Sequence, residues 1–233
     1  MTIKFYQVGG SIRDEILGRK PKDFDYAVEA PSFDAMRAEI VGRGGEIFIE
    51  HPEFLTIRAK MPMTGPADFV LTRKESHYTD GRRPDSVTIG NIYDDLARRD
   101  LSINAIAKSL DTGEIIDPYH GIDDIKNRLL KAVGCPKDRI QEDALRLVRF
   151  FRFHVTLGFD LDFAIVDCLH SPEYINLLEN ISEERIYNEL TKCFRHNTLR
   201  SLRALETFRL FQLWIFSKNI WLKPTLAKRS IIV

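Results

Sequence analysis

The spacing of apolar and polar residues changes partway along this 233-residue chain. Over the first half, short apolar runs and alternations bounded by glycine, proline or aspartate predict strands, with short helical patterns between them. The predicted strands are 3–8, 23–28, 46–49, 54–60, 67–72 and 114–116, and the predicted helices are 11–17, 32–42 and 93–107. Later spacing is helical, over 121–131, 138–154, 161–170, 182–195 and 198–216. An α/β unit followed by an all-α unit is therefore expected, with its boundary near 120–125.

A glycine pair follows the first predicted strand. Gly9 and Gly10 allow a tight turn, and Ser11 is a candidate N-cap for the helix that follows. The free N–H groups of a helix start suit a phosphate, and Arg13 would add further donors. Alone, this pattern is more typical of a structural turn than of a binding site.

Two aspartates in the next predicted strand strengthen the functional interpretation. Because side chains alternate along a strand, Asp23 and Asp25 share one face. Neighbouring carboxylates repel each other unless a cation lies between them, and magnesium prefers such oxygen ligands. Asp68, in the apolar segment ADFVL, is a candidate third carboxylate. Exposed acids at a sheet edge are the alternative for all three.

Other signatures of nucleotide and metal chemistry are missing. The sequence has no GxxxxGK[ST] and no GxGxxG that opens a helix after a strand, which excludes P-loop and Rossmann sites. It also lacks HExxH and CxxC, which excludes the common zinc hydrolase and deaminase sites.

A stripe of charge runs along the predicted helix 138–154. Asp143, Arg146, Arg149 and Arg152 recur at every third position among apolar residues, so the helix is expected to be buried and its guanidinium groups to need partners. The stripe faces either a ligand in a polar cleft or an internal salt-bridge network. Should the ligand be a base, an accepting carboxylate and a donating arginine suit cytosine and adenine but leave unpaired groups against guanine and uracil.

The overall charge is zero, but its distribution is uneven. Residues 196–233 contain seven lysines and arginines against one acid, and this basic end indicates either a phosphate-binding surface or a solvated helix face. The sequence RRD at 98–100 is expected at a helix start, which disfavours cations and so indicates phosphate contact or a surface ion pair.

The three cysteines are widely spaced, so no disulfides are expected. No membrane span and no targeting segment is recognised, which favours a cytoplasmic protein. Nothing in the sequence indicates a particular oligomeric state.

These motifs resemble, in order, those of the class II tRNA nucleotidyltransferases, the family of CCA-adding enzymes and bacterial poly(A) polymerases. GGSIRD followed by DFD is similar to motif A. The other similarities are RRDLSINAIA (98–107) to motif B, DPYHGIDDIKNRLLKAVG (117–134) to motif C, EDALRLVRFFRF (142–153) to motif D, ISEERIYNEL (181–190) to motif E, and RKESHYTDGRRPDSV (73–87) to a flexible loop.

The resemblance implies a fold and a set of site residues. The fold is an α/β polymerase-β-like nucleotidyltransferase head over 1–122, an all-α neck over 123–195, and a short, truncated helical body in the basic segment 196–233. A two-ion magnesium site is implied on Asp23 and Asp25, with Asp68 as the third catalytic carboxylate. The implied nucleotide-binding residues are Gly10, Arg13, Arg99, Asp143, Arg146, Arg149 and Arg152.

The implied activity is the addition of C and A to the 3′ end of tRNA from CTP and ATP. A poly(A) polymerase and an enzyme that adds only A stay open as alternatives. A non-catalytic tRNA-binding module is a third, from a different functional class. Family members usually continue well beyond motif E, so only part of the usual tRNA platform is expected.

Overall fold

We describe residues 2–21, 23–76, 78, 84–218 and 220 of a computed structural model of the chain. They fall into two compact units. The first combines the residues up to 76 with 84–127, and the second consists chiefly of the residues from Arg128 onward. The functional division into head, neck and basic segment stays a prediction.

The first unit is built on a mixed sheet. Its strands are β1 (Lys4–Val8), β2 (Phe24–Glu29), β3 (Glu46–His51), β4 (Thr56–Met61), β5 (Gly65–Leu71), β8 (Ala107–Ser109) and β9 (Ile115–Ile116), and a separate hairpin pairs β6 (Arg73–Ser76) with β7 (Ser86–Ile89). Within the described residues the order in the main sheet is β3-β4-β5-β2-β1-β8-β9. Only β2 and β5 pair in parallel within it; the other neighbouring strands are antiparallel.

Helices pack around this sheet in the first unit. They are α1 (Gly10–Ile16), α2 (Phe33–Gly42), α3 (Ile92–Ala97) and α4 (Gly121–Lys126), with short 3-10 turns at Pro52–Phe54 and Ser102–Asn104. One face of the sheet buries a core of aromatic and aliphatic side chains, including Phe5, Tyr26, Met36, Ile40, Ile57, Phe69 and Leu71. Tyr26 and Phe69 stack with 5.1 Å between ring centroids, so the residues that alternate with them in β2 and β5 lie on the opposite face.

The second unit is helical. Its helices are α5 (Pro136–Glu142), α6 (Leu145–Leu157), α7 (Phe163–His170), α8 (Pro172–Asn176), α9 (Glu183–Thr207) and α10 (Arg209–Ser217); a 3-10 turn covers Leu177–Asn180, and β10 (Leu129–Leu130) pairs with β11 (Asp160–Leu161). α6 contributes several core residues, with Leu147, Val148, Phe150 and Phe151 fully buried.

Two predicted helices are wrong in extent. The segment 93–107 is helical only to Ala97; a 3-10 turn at Ser102–Asn104 and strand β8 replace the rest. Here the apolar run Leu101–Ala107 is buried without being helical, so its spacing is misleading. The segment 138–154 is two helices, because Asp143 adopts an extended conformation (φ −152°, ψ 105°) between them.

Smaller differences concern the ends of elements. The predicted helix 121–131 ends at Lys126, where β10 follows. The predicted gap between 195 and 198 appears as a non-helical residue, Asn197, inside α9, and the last predicted helix is divided at Phe208. The hairpin of β6 and β7 and the strand β8 were not predicted.

Candidate active site

The two strands that pair in parallel bring two acids face to face. In the register of β2 and β5, Asp25 lies directly opposite Asp68, on the face away from the aromatic core. Asp23 precedes β2 and is exposed, whereas Asp25 and Asp68 are half-buried. Within β2 the predicted alternation holds, with Phe24 and Tyr26 on the core side and Asp25 on the other, whereas a shared face for Asp23 stays a prediction.

The carboxylate of Asp25 lies in an unfavourable environment for a negative charge. Burial raises its pKa, and the nearby charge of Asp68 raises the pKa further. Arg99 lowers this pKa in part, and Asp23 raises it. Asp68 has a partner of its own, because Arg58 Nε on β4 lies 3.1 Å from its Oδ1. The three acids thus form one electrostatic cluster that a cation would stabilise.

The glycine turn lies beside this cluster. The first helix begins at Gly10 with Gly9 as its N-cap, in a conformation (φ 70°) that favours glycine. Ser11 is not the N-cap as predicted; its hydroxyl donates to the carbonyl of Val8 at 3.0 Å. A methyl group at Gly9 would lie 3.0 Å from Arg99 Nη1 and 3.8 Å from Asp25 Oδ2, so an arginine and an acid converge on this turn.

The paired arginines 98 and 99 follow the end of α3 rather than the start of a helix, contrary to the prediction. A helix C-terminus favours cations, so this position by itself does not indicate phosphate. Arg99 Nη1 donates to the carbonyl of Asn104 at 3.1 Å, and Asn104 Oδ1 accepts from Arg13 Nη1 at 2.8 Å. Arg13 also binds Asp14 through Nε at 3.0 Å. Asn104 thereby links Arg13 and Arg99, the two predicted phosphate-binding arginines.

The donor set at the cluster fits magnesium in its chemistry. All three candidate ligands are carboxylates, and burial together with the nearby charge of Asp68 raises the pKa of Asp25. Among the residues that the structure describes, no group of three His, Cys, Asp or Glu side chains has converged to metal-binding geometry. The Arg58 guanidinium group contacts one carboxylate oxygen of Asp68.

In the second unit, Asp143 lies at the break between α5 and α6. Its carboxylate accepts from Arg185 on α9, at 2.7 Å for Oδ2 and 3.3 Å for Oδ1, and Oδ1 also caps the N–H of Leu145 at 3.1 Å. Asp143 therefore precedes the helix instead of sharing its stripe with the arginines. Because Asp143 itself is extended, the helical spacing of every third position does not apply between Asp143 and Arg146.

The three arginines of α6 are half-buried and alternate with buried apolar residues over 145–153. Arg146 pairs with Glu142 and donates to the carbonyl of Arg139 at 3.2 Å, and Arg152 pairs with Glu189 on α9. Burial raises the pKa of Glu189, but Arg152 and Arg149 help to hold that pKa below its ordinary value. The internal network that the sequence left open is thus present; contact of these residues with a base stays a prediction.

Comparison with known proteins identifies the family. The model of the poly(A) polymerase head domain matches residues 5–131. The CCA-adding enzyme of Streptococcus gordonii is 41% identical over 192 residues, which are 80% of this chain and 45% of that protein. The chain belongs to the family of CCA-adding enzymes and bacterial poly(A) polymerases. The family predicted from the order of the motifs is confirmed.

Solved structures confirm the predicted fold class as well. The Bacillus stearothermophilus CCA-adding enzyme in complex with CTP superposes with a TM-score of 0.74 at 30% identity, covering 87% of this chain and 47% of that one. A tRNA nucleotidyltransferase with a primer tRNA and an incoming ATP analog gives 0.73 at 28% identity, covering 91% and 58%. The chain spans about half the length of the curated relatives it matches.

Other predictions have simpler outcomes. Cys135, Cys168 and Cys193 are free thiols, as expected. In the part of the chain that the structure describes, no helix is long and apolar enough to cross a membrane. Residues 77 and 79–83 of the loop that resembles the family's flexible loop, and residues 219 and 221–233 of the basic segment, lie outside the described residues.

Sequence reasoning missed the acids and bases that hold the predicted site residues. Asp95 binds Arg99, Arg185 binds Asp143, and Glu189 binds Arg152. Arg185 and Glu189 lie in ISEERIYNEL, four residues apart on one helix face. That spacing was a usable signal for residues that face a common partner helix.

Proposed function

We propose that this chain is a template-independent RNA nucleotidyltransferase that adds C and A to the 3′ end of tRNA from CTP and ATP. The observation that supports this most is the convergence of Asp25 and Arg99 on the Gly9 turn, with Asp68 opposite Asp25 in the sheet, in a chain of this family. A set of acids beside a glycine turn and arginines is the arrangement that metal-assisted transfer from a triphosphate requires. Such a reaction would occur in the cytoplasm, as the sequence predicts.

The reaction joins the 3′ oxygen of the RNA to the α-phosphorus of the incoming nucleotide. The bond between that phosphorus and the bridging oxygen of the pyrophosphate group breaks, and the hydroxyl proton is released. Gly10, Arg13 and Arg99 would bind the triphosphate and hold it in line with the attacking oxygen. The arginines are already restrained, since Asn104 contacts both, so little order would be lost on binding.

CCA-adding enzymes, as nucleotidyltransferases, generally use divalent metal ions. In this chain Asp23, Asp25 and Asp68 would hold a two-ion magnesium site. When bound, the ions would neutralise phosphate charge and lower the pKa of the attacking hydroxyl.

We assign the choice of base to Asp143 and Arg146. Asp143 accepts hydrogen bonds and Arg146 donates them, which suits the amine and ring nitrogen shared by cytosine and adenine. Guanine and uracil present a carbonyl beside an N–H and would leave both residues unpaired. The proposal requires that Asp143 and Arg146 exchange part of their bonding to Arg185 and Glu142 for the base. Arg149 and Arg152 would support this surface and the phosphates.

Incorporation by the purified chain tests the proposal. tRNAs ending at the discriminator base, at C and at CC would be incubated with labelled CTP or ATP and magnesium. We expect addition of C, C and then A, followed by arrest, and loss of about a thousandfold or more in Asp25→Asn, since metal-bound charge stabilisation amounts to several kcal/mol. Asp111→Asn, at an exposed acid of the same unit, is the matched control and should retain full activity.

Each other outcome selects a different function. Long tails made from ATP alone indicate a poly(A) polymerase, and a single A on tRNA-CC indicates an A-only enzyme. tRNA binding without incorporation in magnesium indicates a non-catalytic module. Incorporation of U or G at comparable rates would contradict the assignment of base choice to Asp143 and Arg146.

A further inference from the structure

A buried carboxylate lies between the two arginines that follow α3. The side chain of Asp95 is 1% exposed, and each of its oxygens binds one guanidinium group. Oδ2 accepts from Arg99 at 2.8 Å and 3.2 Å, and Oδ1 accepts from Arg98 Nε at 3.0 Å and from its Nη2. Two-point contacts of this kind fix the plane of each guanidinium group.

Asp95 stays ionised in this position. Burial alone would raise the pKa of Asp95, but the charges and hydrogen bonds of Arg99 and Arg98 hold the pKa below its ordinary value. A buried carboxylate that depends on two arginines constrains both, because moving either one leaves it under-compensated. Asp95, Arg98 and Arg99 therefore form one ion-pair triad.

This ion-pair triad extends to the β6–β7 hairpin on one side. Arg98 Nη1 lies 3.6 Å from Glu75 Oε1 in β6, and the same oxygen accepts from Arg73 Nε at 2.7 Å. The side chain of Glu75 is only 7% exposed. In the β6–β7 pair, Glu75 lies opposite Val87, so the ion pairs hold one strand of this hairpin.

On the other side the ion-pair triad reaches the glycine turn. Arg99 Nη1 donates to the carbonyl of Asn104 and lies against Gly9, and Asn104 binds Arg13. A continuous path of ion pairs and hydrogen bonds thus joins Glu75 to both arginines that the proposed function assigns to the triphosphate. All of these residues belong to the first unit.

We infer that Asp95 is a positioning residue that orients Arg99 for the triphosphate and, through Arg98 and Glu75, couples this orientation to the β6–β7 hairpin. The inference rests on the proposed function, which assigns Arg99 to the phosphates. Coupling of this kind is reciprocal: an ordered hairpin favours triphosphate binding, and triphosphate binding favours the ordered hairpin. Binding of a nucleoside monophosphate, which lacks the β- and γ-phosphates, should be nearly independent of Asp95.

The sign of the effect separates positioning from simple charge. Neutralising an acid near a phosphate site would, by charge alone, strengthen the binding of a polyanion. Misplacing Arg99 would weaken it instead. The variant Asp95→Asn keeps the size of the side chain and removes the charge, so the two explanations predict opposite changes.

The experiment compares CTP and CMP binding to the full chain in magnesium. We expect Asp95→Asn to weaken CTP binding about tenfold or more, as for loss of a charged hydrogen bond, and CMP binding less than about threefold. Glu75→Gln should weaken CTP binding by a smaller factor, with CMP unaffected. The control is Glu50→Gln on the outer strand β3, which removes the same charge from a more exposed ion pair to Arg37 (2.8 Å) and should change neither affinity.

A double-mutant cycle tests the relay even if Asp95→Asn does not fold. In the contacts described above, Glu75 and Arg99 are joined through Arg98 and Asp95. If the two positions were independent, the losses in CTP affinity from Glu75→Gln and from Arg99→Lys would multiply. We expect the double variant to lose CTP affinity by about threefold less than the product of the single losses.

The possible failures are distinguishable. An unmodified chain that binds neither nucleotide overturns the proposed function, and this inference falls with it. An active, CTP-binding chain in which Asp95→Asn folds with an unchanged CTP-to-CMP ratio overturns this inference alone. So do stronger CTP binding in Asp95→Asn, parallel loss of both nucleotides, or a fully multiplicative cycle.

Discussion

At the scale of single residues, Gly9 shows how one position can serve both backbone and site. Its φ of 70° is unfavourable for other residues, and any side chain would press on the Arg99 guanidinium group at 3.0 Å. Gly18 provides a comparison, since its φ is 68° but no heavy atom lies within 4 Å of a Cβ placed there.

We expect Gly9→Ala to lower nucleotide addition about tenfold or more, because Arg99 must move. Gly18→Ala should cost about 1–2 kcal/mol in the free energy of unfolding if its backbone is left-handed helical, and Gly9→Ala at least as much, because φ 70° with ψ −134° is a conformation that is essentially restricted to glycine. Steady-state incorporation and urea unfolding of the two variants separate these effects. Equal activity in the two variants would contradict a role for the space at Gly9.

Arg58 is a second residue whose effect can be isolated. Its guanidinium group on Asp68 competes with any cation at that carboxylate. The Arg58–Asp68 ion pair is partly exposed, so its interaction free energy is at most about 1 kcal/mol. We expect Arg58→Gln to bind Mn²⁺ up to about fivefold more tightly. Electron paramagnetic resonance of free Mn²⁺ measures this directly, with Arg37→Gln as the control. Weaker binding would mean that Arg58 orients Asp68 for the metal.

The sequence predicted the strand face of Asp25 better than it predicted the partners of the candidate site residues. The face of Asp25 follows from strand alternation, which is local. Asp95 and Arg185 were missed because the sequence does not say which buried acid meets which arginine across elements. Such pairing depends on tertiary packing that neither periodicity nor composition encodes.

At the scale of elements, apolar spacing predicted where most helices and strands lie but not where they break. The segment 138–154 has continuous helical spacing, yet Asp143 leaves the helix to meet Arg185 and to cap Leu145. The segment 93–107 fails similarly, because a buried apolar run satisfies helix, turn and strand equally well.

Glu189 forms an ion pair between two helices, and its removal should have a clear effect on the free energy of unfolding. It joins α9 to Arg152 of α6, and its side chain is 6% exposed. We expect Glu189→Gln to lose about 2 kcal/mol at pH 7, since the variant leaves a half-buried arginine under-compensated. Glu184→Gln, at an exposed position of α9, should change stability little.

The pH dependence of that loss has a definite sign. The pKa of Glu189 is lowered in the folded chain, so its contribution is complete above its ordinary value of 4.5 and is lost as the pH falls through the lowered value. The difference in urea midpoint between the wild type and Glu189→Gln should therefore shrink from pH 5 to pH 3. A difference that is constant over this range would mean that packing, not charge, accounts for it.

At the scale of the whole molecule, the change from mixed α/β to helical spacing predicted two structural classes in the right order. The described residues divide after Asn127, a few residues beyond the expected boundary. Strand order was not predictable, because β5 inserts beside β2 while β3 and β4 lie outside it. That arrangement places Asp68 opposite Asp25, and it depends on contacts between residues more than forty positions apart.

The uneven charge of the chain predicts how it would bind RNA. Exposed arginines on the last helices, such as Arg203 and Arg209, belong to the basic segment of a chain with no net charge. If this segment contacts phosphates, the double variant Arg203→Gln/Arg209→Gln should reduce the slope of log K for tRNA against log salt by about 1.5. Arg37→Gln/Arg43→Gln in the first unit is the matched control. An unchanged slope would assign tRNA binding to another surface.

The position of β5 between two strands has a consequence for how this chain can change. Every residue from Gly65 to Leu71 is paired on at least one side, with β4 or β2. A shift by one residue would turn Asp68 toward the aromatic core and Phe69 out of it, whereas a shift by two would preserve both orientations. Insertions in this strand are thus restricted, because the same ladder that places Phe69 in the core also places Asp68 opposite Asp25.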